Sequence, residues 1–262
     1  MLTAERRQKI LELIEDRNSI TVAELCKIMS VSEMTIRRDL RALANEDLLE
    51  RVHGGALSRR GRSYEPPYLI RSTKAIEQKE LIGRRAAELI DEGDSIGLDV
   101  GTTTLELAKA MIGISNLTVV TANLAIVDAL SDAPNIRLIM TGGILRKEES
   151  SMVGHIAQRT YEELRLDKAF VGIGGLHLEA GLTEYNLEDT LVKKAQIANA
   201  GQIIVLGDST KFGRTCFALI APITKMDVLI TDDDAPPEMI TELTALGIEV
   251  IIAGKEQLDK EK

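Results

Sequence analysis

Arg37, Arg38 and Arg41 fall in the run Met34-Thr35-Ile36-Arg37-Arg38-Asp39-Leu40-Arg41, in which Ile36, Leu40 and Leu43 recur at i, i+4 and i+7. On a helix that spacing buries the three apolar residues together and turns Met34, Arg38 and Arg41 outward, with Thr35 and Arg37 on the flanks. Guanidinium groups displayed in this way grip phosphates and the edges of bases. A second set of chemically capable residues lies farther along, in short turns rich in glycine and hydroxyls. They are Asp99-Val100-Gly101-Thr102-Thr103-Thr104, Thr121-Ala122-Asn123, Thr141-Gly142-Gly143, Gly172-Ile173-Gly174-Gly175 and Gly207-Asp208-Ser209-Thr210-Lys211-Phe212-Gly213. Glycine lets backbone N–H groups approach a ligand, hydroxyls supply rotatable donors, and a helix start adds partial positive charge, so Gly101-Thr102-Thr103-Thr104 reads as an anion cradle. Lys211 adds a full charge, while Asp99, Asn123, Glu184 and Asp208 suit hydroxyl groups. A phosphate beside polyol acceptors describes a phosphorylated sugar.

The first set needs short, well-capped helices. A helix is predicted over 4–16, with Ile10, Leu13 and Ile14 on one face and Asn18-Ser19 ending it. Thr21 and Glu24 then form a Thr-x-x-Glu capping box, and Ser32 caps the next helix after the break at Ser30-Val31. Two extended runs, 48–52 and 56–57, flank His53-Gly54-Gly55 and predict a β-hairpin, so residues 1–57 read as a winged helix-turn-helix. The nucleic-acid face so drawn holds Thr21, Ser32, Met34, Thr35, Arg37, Arg38 and Arg41, with Arg51, His53 and Gly54 on the wing. Arg38 is the leading candidate for a base contact. Asp39 is acceptor-only and lies toward the buried flank, which suits holding arginines rather than touching DNA.

Residues 58–72 contain charge, glycine and the pair Pro66-Pro67 without an apolar period, and are expected to be an exposed linker. From Thr73 onward the pattern becomes helices alternating with short apolar strands, beginning with a helix through Leu81, Ala86 and Leu89-Ile90. Strands are expected at 95–98, 118–121, 137–141, 168–172, 202–207, 228–231 and 249–252, and helices at 105–111, 124–130, 156–163, 187–199 and 237–246. The fold class is therefore α/β: a winged helix-turn-helix followed, over 73–262, by a mostly parallel sheet with helices on both faces. Ligands of such sheets collect beyond the carboxyl ends of the strands, where the glycine and hydroxyl turns fall. The small-molecule set is Asp99, Gly101, Thr102, Thr103, Thr104, Thr121, Asn123, Gly142, Gly143, Gly174, Gly175, Glu184, Asp208 and Lys211. Any one Gly-Thr turn is equally explained as a tight βα turn; the coincidence of several carries the reading.

Composition narrows the alternatives. The net charge of −9 is uneven, because residues 1–62 hold 12 Lys/Arg against 10 Asp/Glu. Arg37, Arg38, Arg41, Arg51, Arg59, Arg60 and Arg62 cluster on or after the arginine helix, giving a local positive field on an acidic molecule. Nothing approaches the roughly 20 apolar residues of a membrane span, and the first seven residues lack the apolar core of a secretion signal, so a cytoplasmic protein without membrane contact is expected. The two cysteines, Cys26 and Cys216, read as free buried thiols. No G-x-x-x-x-G-K-[ST] occurs, and Gly172 to His177 fails G-x-G-x-x-G at its last position, which speaks against ATP, NAD and any nucleotide cofactor. His155 and His177 are isolated, so no metal site is predicted, and Asp232-Asp233-Asp234 reads as a solvated turn and helix start.

The two halves together resemble the DeoR-type family of sugar-metabolism transcription regulators over nearly the whole length. In the first, Arg6 or Arg7, the Ile10–Ile14 face, the run from Ser32 to Leu40 and Val52-His53-Gly54-Gly55-Ala56 are similar to the family's DNA-binding signature. In the second, Asp99 to Thr103, Thr121-Ala122-Asn123, Gly142-Gly143 and Asp208 to Gly213 are similar to its effector domain. The resemblance implies an effector fold related to ribose-phosphate isomerase and glucosamine-phosphate deaminase, and a phosphosugar effector. The Asp-Gly-Ala-Asp acid motif of the isomerases is missing, which favours a sensor over a catalyst. The resulting expectation is a homo-oligomeric repressor whose operator DNA binding is modulated by a phosphorylated sugar. The alternatives are a phosphosugar isomerase or deaminase, with Asp99, Glu184 or Asp208 as general base, and a winged helix that binds protein rather than DNA.

Overall fold

The computed structural model describes residues 3–17, 19–46, 48–57 and 61–254. Asn18 and residues 58–60, with Arg59 and Arg60, lie outside the described residues. The chain forms two compact units, Met1–Lys74 and Ala75–Lys262.

The first unit runs α1 (Thr3–Arg17), β1 (Ser19–Thr21), α2 (Val22–Met29), α3 (Glu33–Asn45), β2 (Glu50–Val52), β3 (Gly55–Leu57) and α4 (Tyr68–Thr73). Both expected caps are in place. Thr21 Oγ1 accepts from Glu24 N while Glu24 Oε2 accepts from Thr21 N at 2.9 Å, and Ser32 Oγ accepts from Thr35 N at 3.3 Å. These reciprocal bonds satisfy N–H groups that a helix start otherwise leaves unpaired. Ile36, Leu40 and Leu43 of α3 are buried with Ile10 and Ile14 of α1 and Leu25 of α2. The hairpin is joined by β1, giving the antiparallel order β1-β3-β2. Gly55 makes that pairing possible, since a Cβ there would lie 2.3 Å from Ile20 O.

The expected linker 58–72 is corrected in its second half. Pro67 caps α4 rather than marking an exposed hinge, Ile70 is buried in the first unit's core, and Gln8 Nε2 donates to Thr73 Oγ1 at 2.7 Å. A proline pair is compatible with both outcomes, because proline is favoured just where a helix begins.

The second unit opens with α5 (Ile76–Ala87) and then alternates β4 (Ser95–Leu98), α6 (Thr102–Ala110), β5 (Leu117–Thr121), α7 (Leu124–Leu130) and β6 (Ile136–Met140). A hairpin of β7 (Ile144–Arg146) and β8 (Ser151–Val153) precedes α8 (His155–Glu162) and β9 (Leu166–Gly172). There follow β10 (Gly175–His177), β11 (Gly181–Glu184), α9 (Leu187–Ala198), β12 (Ala200–Leu206), β13 (Ala218–Ala221), β14 (Val228–Asp232), α10 (Pro237–Ala245) and β15 (Glu249–Ala253). All seven expected strands form one sheet in the order β15-β14-β12-β9-β4-β5-β6, and every pairing in it is parallel.

Side-chain alternation along these strands supplies two cores. Leu98, Val119, Phe170, Ile204 and Ile230 face α5, α6 and α7, while Val120, Val171, Val205 and Leu229 face the layer that holds α8, α9 and α10. The hairpin β7-β8 and a small antiparallel sheet, β10-β11-β13, were not expected. Gly97 of β4 lets α9 lie close on the sheet, for a Cβ there would meet Gln196 Nε2 at 2.7 Å and Leu166 Cδ1 at 2.8 Å. Both cysteines are free, and no helix among the described residues is long and apolar enough to cross a membrane.

Candidate functional site

The exposed side of α3 carries Met34, Arg37, Arg38 and Arg41. Arg37 is tied back to its own helix, with Nε 2.8 Å from Glu33 Oε1. Arg38 and Arg41 make no ion pair among the described residues, so theirs are the guanidinium groups free to reach outward. The opposite side of α3 is fixed by charge. Asp39 is fully buried, and its two oxygens take Arg6 Nε at 2.6 Å and Arg7 Nε at 3.3 Å, fastening α1 to α3 as the acceptor-only reading of Asp39 expected. Thr21 and Ser32 spend their side chains on the caps, and the hydroxyl of Thr35 pairs with that of Ser32 at 2.9 Å. Arg51, His53 and Gly54 are exposed on the wing.

In the second unit, β5 and β6 extend the sheet to one side of β4 and β9 lies on the other, so the chain changes direction between β4 and β9. A crevice at the carboxyl ends of such strands is where open α/β sheets bind ligands. There Asp99 Oδ2 accepts from Gly172 N at 2.9 Å and pairs with Lys193 of α9. Lys193 Nζ also reaches Glu184 Oε2 at 3.2 Å and Gly172 O at 3.0 Å, so its three protons are all committed. Burial pushes the Asp99 carboxyl up to about 6 despite the neighbouring ammonium. Burial alone would lower Lys193, but Asp99 and Glu184 outweigh it and hold the amine above its ordinary value. The cluster is therefore one buried ammonium shared between two carboxyl groups.

A second chain of contacts runs along the same helix. Asp189, one turn before Lys193, pairs with Arg146 and accepts from Ser151 Oγ at 3.0 Å, and Ser151 bridges backbone to Asn123. Asn123 caps α7 through Ala125 N at 2.8 Å, and its Nδ2 is buried without a hydrogen-bond partner among the described residues. Beside Asp99, Gly101 holds φ +145, a conformation open to glycine, and α6 begins without any side-chain cap. The N–H groups of Thr102 and Thr103 thus stand at a bare helix start. The turns after β4, β5, β9 and β11 are consequently brought together, with Gly142 and Gly143 leading into the hairpin that carries Arg146 and Ser151.

Several expected ligand groups prove to be occupied otherwise. Thr104 is buried and donates to Gly101 O at 3.0 Å, and Thr121 Oγ1 accepts from Asn123 N at 3.1 Å. Gly174 abuts Glu184, where a Cβ would come within 2.7 Å of Oε1, but Gly175 packs on the Arg214 carbonyl, 2.4 Å from where its Cβ would be. Asp208 serves as a local cap, its Oδ1 taking Thr210 N at 3.1 Å, and among the described residues no hydrogen bond or ion pair joins it to the Asp99 cluster. Lys211 lies in the one-turn helix that Asp208 caps, half-buried. Asp232 is likewise no solvated turn residue, being buried with its oxygens on Ser209 N and Asp234 N, although Asp233 and Asp234 are exposed.

Lys193, Asp189, Arg146 and Ser151 were not anticipated. Asp189, Lys193 and Gln196 form an i, i+4, i+7 stripe that α9 buries, while Leu187 and Leu191 of the same helix remain exposed. Reading amphipathicity by hydrophobicity selects the wrong face of this helix. The signal available was the spacing of the polar stripe itself.

Comparison with known proteins agrees with this division. The DeoR-like helix-turn-helix domain matches residues 6–61, and the DeoR C terminal sensor domain matches residues 74–233. The chain is 35% identical over 253 residues to the HTH-type transcriptional regulator GolR of Listeria innocua, covering 97% of this chain and all of that one. It is 33% identical over 244 residues to the glycerol-3-phosphate regulon repressor of Escherichia coli, covering 93% and 96%. Among solved structures, ribose 5-phosphate isomerase A from Methanocaldococcus jannaschii aligns with a TM-score of 0.40 at 17% identity, over 52% of this chain and 54% of that one. By the two domain matches and the two full-length relatives, the chain belongs to the DeoR family of DNA-binding transcription regulators.

Proposed function

We propose that this protein represses a sugar-metabolism operon from the cytoplasm, that copies of it bind operator half-sites as a homo-oligomer, and that a phosphorylated sugar in the sensor unit modulates the grip. The observation that carries the reading is the meeting, at the β4–β9 crevice, of a bare helix start with two carboxyl groups paired to Lys193. A phosphate suits the amino end of α6, where N–H groups and the helix dipole favour anions. Sugar hydroxyls suit Asp99, Glu184 and Asn123 Nδ2, which has no hydrogen-bond partner among the described residues. A coupling of about 1–3 kcal/mol between the units changes operator affinity roughly 5- to 150-fold, which is enough for a switch.

Thermal unfolding against a panel of phosphosugars tests this, because a ligand that binds only the native state raises stability with its concentration. At least one phosphosugar is expected to stabilise the protein and to change operator retardation, whereas the unphosphorylated sugar does neither. A panel without any hit would remove the sensor reading.

One observation favours a second reading, that the site turns its ligand over: the Asp99 carboxyl is held near 6, within the range of a working general base. Against it, both Glu184 oxygens are engaged, one by Lys193 and the other by Tyr185 N at 3.0 Å. A coupled isomerase or deaminase assay on the purified protein separates the two, and turnover at ordinary enzymic rates would replace the sensor with a catalyst.

A further inference from the structure

We infer that Met34 is a specificity-determining residue that reads the 5-methyl group of a thymine in the operator's major groove. The inference rests on operator binding by α3. Met34 is 83% exposed, more than any other large apolar side chain among the described residues, whereas Ile36, Leu40 and Leu43 of the same helix are all buried. It occupies the second position after the Ser32 cap, and the first turn of a recognition helix is the part that meets base edges.

Its neighbours leave it a distinct task. Glu33 is held by Arg37 and the Thr35 hydroxyl by Ser32, so the hydrogen-bonding groups of the first turn are already engaged. Arg38 and Arg41 follow Met34 at i+4 and i+7 on one ridge, and the groups from Glu33 to Arg41 border a surface depression of about 500 Å³. The arginines serve phosphates and guanine edges, which are polar. A thioether side chain offers no useful hydrogen bond to a base, and the one apolar feature displayed in the major groove is the thymine methyl. An unbranched, polarisable side chain adapts to such a group without demanding one fixed geometry.

The test uses full-length protein and the duplexes it enriches from a random-sequence pool. Replacing each enriched thymine in turn by deoxyuridine deletes only the methyl group. One thymine in each half-site is expected to lose about fourfold in affinity, the worth of one buried methyl. Met34→Ala should weaken binding by a similar factor and become indifferent to that same replacement, with the melting temperature unchanged because the side chain is almost wholly exposed. Met34→Gln should move the enriched base at that position toward adenine, which a carboxamide reads through N6 and N7, and leave the other positions alone. Three results would overturn the inference: no thymine whose methyl matters, a Met34→Ala protein that keeps the deoxyuridine effect, or an identical enriched sequence for Met34→Gln. Failure of the unaltered protein to enrich any sequence would remove operator binding itself, and the inference with it.

Discussion

In the first unit one buried carboxylate, Asp39, stands between two arginines; in the second, one buried ammonium, Lys193, stands between two carboxylates. The trios have opposite composition, two guanidinium groups on one carboxylate beneath the recognition helix, where Arg7 also reaches Glu46 at 3.9 Å, and one ammonium between two carboxyl groups at the β4–β9 crevice. Each fastens elements that the chain brings together from far apart, α1 to α3 in the first case and α9 to the ends of β4, β9 and β11 in the second. Both also show why a buried charge is kept with two partners, since losing one partner of a desolvated ion leaves an uncompensated charge. The difference lies in what each composition suits. Arginines outnumbering the buried carboxylate under α3 are compatible with a polyanion, while carboxyl groups outnumbering the ammonium beside Asp99 are compatible with hydroxyls.

The contrast is broken most severely by Lys193→Met, which leaves Asp99 and Glu184 buried without a cation. Denaturant unfolding should show a loss of about 3–5 kcal/mol, and adding Glu184→Gln should restore part of it. Wild-type stability in Lys193→Met would refute the ion trio. Asp39→Ala is the mirror experiment and should cost about 3 kcal/mol in the first unit, weakening operator retardation while leaving phosphosugar stabilisation intact. Equal damage to both readouts would show that the two trios do not act separately.

Smaller effects sharpen the comparison within α3. Arg38→Ala should cost about 1–3 kcal/mol in operator binding and relax preference at one base pair, as read by retardation on variant operators. Arg37→Ala, already committed to Glu33, should cost only a few tenths, the scale of a surface i,i+4 pair. A further signal is a pH slope. The Asp99 carboxyl titrates near 6 in the fold against 3.8 ordinarily, so the unfolded chain releases its proton first as pH rises. From about pH 4 to pH 6 this group therefore lowers stability as pH rises, and above that its penalty is complete. Lys193 stays charged throughout and adds nothing to the slope. Melting of the wild type and of Asp99→Asn across that window should show the extra decline in the wild type alone.

What could be read from residues alone follows from how locally each feature is encoded. The caps at Thr21 and Ser32 are written within four residues, and strands buried on both faces appear as apolar runs bounded by turn residues, so the helix-turn-helix and the seven-stranded sheet were legible. Strands β7, β8, β10, β11 and β13 hold three or four residues each, and β13 pairs with β11 across the whole of α9 and β12, which no local period reveals. Part of the candidate site was legible for the same reason, since Asp99 and Asn123 sit at predictable strand ends, whereas Glu184 closes the unexpected strand β11. Lys193 escaped because its helix buries a polar stripe, and at Asp208 the run Asp-Ser-Thr spells a cap as readily as a ligand set.

Gly97 shows how far such a site depends on residues without chemistry. Its bare backbone lets Gln196 rest on β4, less than one turn beyond Lys193 on α9. A single added methyl at 97 would displace the Gln196 amide and the Leu166 methyl from the packing beside Lys193, although every polar group remained. Alleles deaf to the metabolite would then arise in the middle of a strand, and a genetic screen for unresponsive regulators should recover them there as well as among the charged residues.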